Sequence, residues 1–117
     1  MKPLPTTFEA LIEEAHAQHL YKKLIHQLNK DFLLANINLD FDEEILPTSL
    51  KYLLHETVFK LIQDKFTDYL NVLYIIDVSE KSIKALDGSD MLKLSEDVTF
   101  LILKREWQKV WLRNTYK

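Results

Sequence analysis

Placed at about 100° steps around a helix axis, Phe8, Leu11, Ile12 and Ala15 share one narrow face. Leu20, Tyr21, Leu24, Ile25, Leu28, Phe32 and Ala35 share another, roughly opposite. One straight helix cannot turn both faces toward one core. The phase change therefore predicts a break near Ala17 to His19. It separates a short helix over about 7–17, opened by Thr6 and Thr7, from a longer one over about 19–35. The competing reading is one long helix packed on different partners at its two ends.

From Asn36 to Asp42 the pattern changes to strict alternation, with Ile37, Leu39 and Phe41 on one side. The sequence supplies no obvious partner strand. An extended connection that lays three side chains onto the helices is expected, with pairing to a second copy as the alternative. The carboxylates here look like a calcium loop only at first glance. An EF-hand needs an acid first, glycine sixth and glutamate twelfth. Counted from Asn38, those positions hold Asn38, Glu43 and Ser49.

Pro47-Thr48-Ser49 opens the longest predicted helix, over about 49–76, roughly 40 Å long. Its polar arc (Glu56, Lys60, Gln63, Asp64, Thr67, Asn71) is narrow, so apolar residues cover most of its circumference. Such a helix should be central and touched from at least two sides. The β-branched run Val72–Val78 leaves a strand as an alternative for its end. Ser79 caps a short helix over about 80–86, stopped by Asp87-Gly88. Ser95, followed by Glu96 and Asp97, signals a last helix to about Arg113. The expected fold is all-α: a small bundle of four or five helices around a long central one, with residues 1–117 as a single helical domain. The alternative is α+β, with Ile37–Phe41 and Val72–Val78 as a short two-stranded element.

Composition narrows the chemistry. Gly88 is the one glycine and there is no cysteine. No P-loop, dinucleotide fingerprint or nucleophile elbow can be written, and thiol catalysis, thiolate ligands and disulfides are absent. The longest apolar runs, Val72–Ile76 and Phe100–Leu103, are too short to span a bilayer. Residues Met1 to Pro5 lack the apolar stretch of a signal peptide. The expectation is a cytoplasmic protein with no membrane association.

The net charge of −3 is unevenly spread. From residue 104 onward stand five bases (Lys104, Arg105, Lys109, Arg113, Lys117) and one acid, Glu106. Arg105, Lys109, Arg113 and Lys117 are candidate polyanion contacts. A stacking platform for single strands needs aromatics between the bases. Here Phe100, Leu103, Trp107, Val110 and Trp111 gather on one arc, opposite Arg105, Lys109 and Arg113, so the tryptophans read as core or interface anchors. Val98, Leu101 and Ile102 fall on the side that the bases occupy further along, which makes them the candidate interaction surface.

Glu13-x-x-His16, with His19, has the spacing of a carboxylate-histidine metal motif, but the di-iron bundles need a second copy and two more glutamates. No metal or cofactor is expected. His55 reads as a hydrogen-bonded, partly buried side chain, and His26 as lying on a wet face with Lys22, Lys23 and Lys30. The leading expectation is a non-catalytic helical protein–protein interaction or scaffold protein, forming a homodimer to cover its excess apolar helix surface. The alternatives are a nucleic-acid-binding accessory protein using the basic last helix, and a metal-dependent enzyme around Glu13, His16 and His19.

Overall fold

Thr7 Oγ1 accepts a hydrogen bond from Ala10 N at 3.1 Å and caps α1 (Phe8–Ala17), the first of six helices in the computed structural model, which describes residues 3–116. The chain turns at His19, which adopts a left-handed φ of 58°, and enters α2 (Tyr21–Leu34). The break falls where the phase of the apolar residues changes. Leu11, Ile12 and Ala15 of α1 and Leu24, Ile25, Leu28 and Phe32 of α2 are all buried in one core.

Residues 36–46 form an extended connection, with no strand among the described residues. Ile37, Leu39, Phe41 and Ile45 lie half-buried against the core. Asn29 pins this segment by pairing with both backbone groups of Phe41, at 2.9 and 3.0 Å. The Tyr21 hydroxyl donates to Ile45 O at 2.6 Å. Asn36 and Asp40 supply left-handed turns (φ 64° and 50°) that a chain poor in glycine assigns to short polar residues.

The long helix expected over 49–76 is instead two: α3 (Pro47–Asp64) and α4 (Phe66–Ile76), separated at Lys65 (φ −141°, ψ 62°). Neither proline nor glycine marks this break. A straight rod through both would run about 45 Å at 1.5 Å per residue, longer than the molecule's greatest extent of 37 Å. Bending at Lys65 returns Tyr69, Val72 and Ile76 to the core, where each is buried. The β-branched run to Val78 is thus helical up to Ile76, and Asp77 ends it in a left-handed turn (φ 67°). α5 (Glu80–Lys84) begins at Ser79, whose Oγ accepts from Ser82 N.

α6 (Met91–Thr115) starts one turn earlier than the Ser95 signal implied. Asp90 is the cap, its Oδ1 accepting from the backbone of Leu92 and Lys93. Ser95 is buried inside the helix, donating to Leu92 O at 2.9 Å and lying 2.7 Å from His55 Nε2. The central position belongs to α6, not to the 49–76 segment. It packs against α1, α2, α3 and α4, and no residue from Asp97 to Leu112 is exposed. Among the described residues, no helix is long and apolar enough to cross a membrane.

Candidate functional site

The three residues expected to face a partner are mostly consumed by the chain itself. Val98 and Ile102 are fully buried, and Leu101 is half-buried beside Leu4, Val78 and Ser79. Both sides of this part of α6 are apolar because α6 is enclosed by four other helices. In this conformation Val98 and Ile102 have no surface to offer a partner.

The apolar excess read in 49–76 is met differently. Leu50, Leu54, Val58, Leu61 and Ile62 enter the core from α3, but Tyr52 is exposed on its outer side. On α4, Phe66, Leu70 and Tyr74 recur every fourth residue and so form one stripe. Their exposures are 55%, 50% and 85%, so at least half of each side chain is left uncovered by the described residues. Lys65 stands at the start of this helix and Asp77 at its end, both exposed.

The candidate polyanion contacts divide. Arg105 donates to Asp77 through Nη2, 3.2 Å from Oδ2, and through Nε, 3.1 Å from the carbonyl. Lys109 points inward: its ammonium lies 2.6 Å from Asp31 Oδ2 and 2.8 Å from Glu106 Oε1. Arg113 Nη1 donates to Gln27 Oε1 at 2.8 Å, and Gln27 Nε2 donates to Asp31 at 3.0 Å. Lys117 lies outside the described residues. The bases opposite the tryptophans are therefore not a common wet face, because α2 lies against them and supplies Gln27 and Asp31 to that side.

Glu106 is the residue that sequence reasoning passed over. It is wholly buried, and neither carboxyl oxygen meets a partner in good hydrogen-bond geometry, although Lys109 lies close. Burial pushes its pKa up to about 9, helped by the Asp31 carboxyl and opposed by Lys109. For Asp31, burial works against ionisation, yet Glu106, Lys109 and Gln27 together hold its pKa below the ordinary value. At neutral pH the cluster holds a neutral Glu106, an anionic Asp31 and the Lys109 cation, so its charges cancel.

This arrangement has a sign that can be measured. The unfolded chain releases the Glu106 proton near 4.5 and the folded chain near 9. The stabilisation from that proton is complete below about pH 4.5 and is lost as pH rises through about 9. Asp31, depressed when folded, acts in a separate window, below its unfolded value of 3.8. Glu106→Gln, which keeps a neutral side chain of the same shape, should gain on the wild type as pH rises. The gain is expected to reach at most about 1.4 kcal/mol per pH unit between about pH 5 and 9. Urea unfolding across that range checks it; a constant difference would mean that Glu106 ionises as in solution.

Elsewhere the candidate chemistry is not assembled. His16 stacks on Tyr21 with ring centroids 4.3 Å apart, His19 occupies the α1–α2 turn, and Glu13 is exposed. Among the described residues, no three His, Asp or Glu side chains come together as metal ligands. The Ser95–His55 contact joins a serine with no exposed surface to a half-buried histidine, and Ser95 Oγ also lies 2.9 Å from Leu92 O. His26 is exposed and lies 2.8 Å from Glu43. Comparison with known proteins places no relative beside this arrangement: no family model matches the chain, and no match to it is found among curated proteins or solved structures.

Proposed function

We propose that the chain is a non-catalytic protein–protein interaction module that pairs with a second copy of itself through the outer face of α4. The single observation carrying this reading is the exposed stripe of Phe66, Leu70 and Tyr74 on an otherwise well-packed helix. Water-exposed aromatic and aliphatic side chains at helical spacing are the usual seam of helix-to-helix association. A second copy fits the charges at the two ends of the stripe. In an antiparallel two-fold pairing, Lys65 of each copy approaches Asp77 of the other, whose exposed carboxylate has an oxygen to offer besides the Oδ2 that meets Arg105, and the same patch serves both. Three side chains supply less than the roughly 800 Å² per partner of a standard interface. The dimer is accordingly weak and concentration-dependent.

Sedimentation equilibrium over a range of micromolar concentrations tests this. The wild type should rise from monomer mass toward twice that mass. Leu70→Glu should remain monomeric with unchanged helix content, because Leu70 is half exposed and its replacement costs the fold little. A wild type that stays monomeric at every concentration rejects the pairing.

A further inference from the structure

Where the end of α6 lies along α2, Lys23, His26, Lys30 and Arg113 line a groove of about 380 Å³, with Gln27 and Asn114 in its wall. Among the described residues, no carboxylate lines it. Two of the cations are fixed by neutral groups: Lys23 Nζ donates to Asn114 Oδ1 at 2.7 Å, and Arg113 Nη1 to Gln27 Oε1 at 2.8 Å. An amide oxygen orients a cation without neutralising it. Among the described residues, Lys23, Lys30 and Arg113 make no ion pair.

The carboxylates nearest to these groups are already engaged. Glu43 faces His26 and Lys22, and Asp31 is held by Lys109. Glu106, behind Asp31, is kept neutral by burial and adds no negative charge from below. A protein with a net charge of −3 thus presents a concave, uncompensated positive site between two helices.

We propose that this groove binds a small multivalent phosphate-type oxyanion, with Arg113 as its principal ligand and Lys30 and Lys23 completing the charge. Arg113 has five N–H donors in a planar fork and gives one to Gln27, which leaves donors to span two phosphate oxygens. Lys23 likewise retains donors beyond the one given to Asn114. Lys30, exposed and unpaired in the described structure, swings onto the anion as a point charge. Arg113 alone carries over from the basic set of α6 expected to meet polyanions, and its companions come from α2.

Titration calorimetry with inorganic pyrophosphate at low ionic strength tests the site. The wild type should show saturable binding to a single site. Arg113→Gln and Lys30→Gln should each weaken it about tenfold, the scale of one lost charge-assisted hydrogen bond. Both side chains sit at the surface, and unchanged circular dichroism verifies that the variants fold. Lys84→Gln removes the same charge from α5, outside the groove, and should leave binding unchanged. Absence of saturable binding overturns the proposal, as does equal weakening by Lys84→Gln, which would mark a net-charge effect. A single-stranded oligonucleotide that binds where pyrophosphate does not would also overturn it, in favour of an extended polyanion surface.

Discussion

Ile102→Glu is expected to abolish the native fold at neutral pH, with loss of the far-UV helix signal and of any thermal transition. Ile102 is fully buried in the middle of α6, the helix that touches α1, α2, α3 and α4. Removing its aliphatic packing costs about 2–5 kcal/mol. The new carboxyl must then stay protonated in an apolar site, at about 1.4 kcal/mol for each unit by which its pKa is raised. Together these approach the whole stability of an ordinary domain, about 5–15 kcal/mol. Had this side chain been an interface residue, as the sequence pattern implies, the variant would be a folded monomer. Circular dichroism of Ile102→Glu therefore separates core from surface directly, and retained helix with a normal melt would contradict its burial.

Lys109→Gln is expected to lower the unfolding free energy by about 3–5 kcal/mol at pH 7, the scale of breaking a buried ion pair from one side. The side chains of Lys109 and Asp31 are 18% and 7% exposed, so water repairs little of the loss. Asp31 is left beside Glu106 in a site where burial already opposes its ionisation. The penalty should shrink as pH falls, because a protonated Asp31 no longer needs the cation. Arg105→Gln offers the contrast, with an expected cost of at most about 1 kcal/mol, since its partner Asp77 is mostly exposed. Urea unfolding of the two variants at pH 7 and at about pH 4 measures both the ranking and the pH trend. Equal, small effects would place Lys109 on the wet face that its position opposite the tryptophans implies.

The two breaks between helices show what periodicity can and cannot reveal. At His19 the apolar face flips, and the flip is visible in the order of Leu11, Ile12, Ala15 and then Leu24, Ile25, Leu28. At Lys65 nothing flips. Val58, Leu61 and Ile62 before it keep helical phase with Tyr69, Val72 and Ile76 after it, so the pattern runs through a bend that the size of the core requires. A similar limit affects the caps. Asp90 and Ser95 both carry capping chemistry, and the acids after Ser95 favoured the wrong one.

The candidate surfaces were less legible because they depend on which helix lies against which. One signal was present: Glu106 falls within the apolar arc of Ile102, Leu103 and Val110, where a lone acid implies a buried partner. Its partner, Asp31, stands 75 positions earlier, and no local pattern links the two. The groove of Lys23, Lys30 and Arg113 has the same character, assembled from two helices at opposite ends of the chain.

The position of α6 also bears on the order in which this protein can be made. The helix that every other large helix leans on is the last of the six to leave the ribosome. Until it arrives, α2 and α3 lack the helix that each packs against most extensively. At about 5–20 residues per second, the 25 residues of α6 take about 1–5 s to synthesise. For that interval the nascent chain carries its apolar faces open to water, a period in which chaperone binding competes with assembly of the fold.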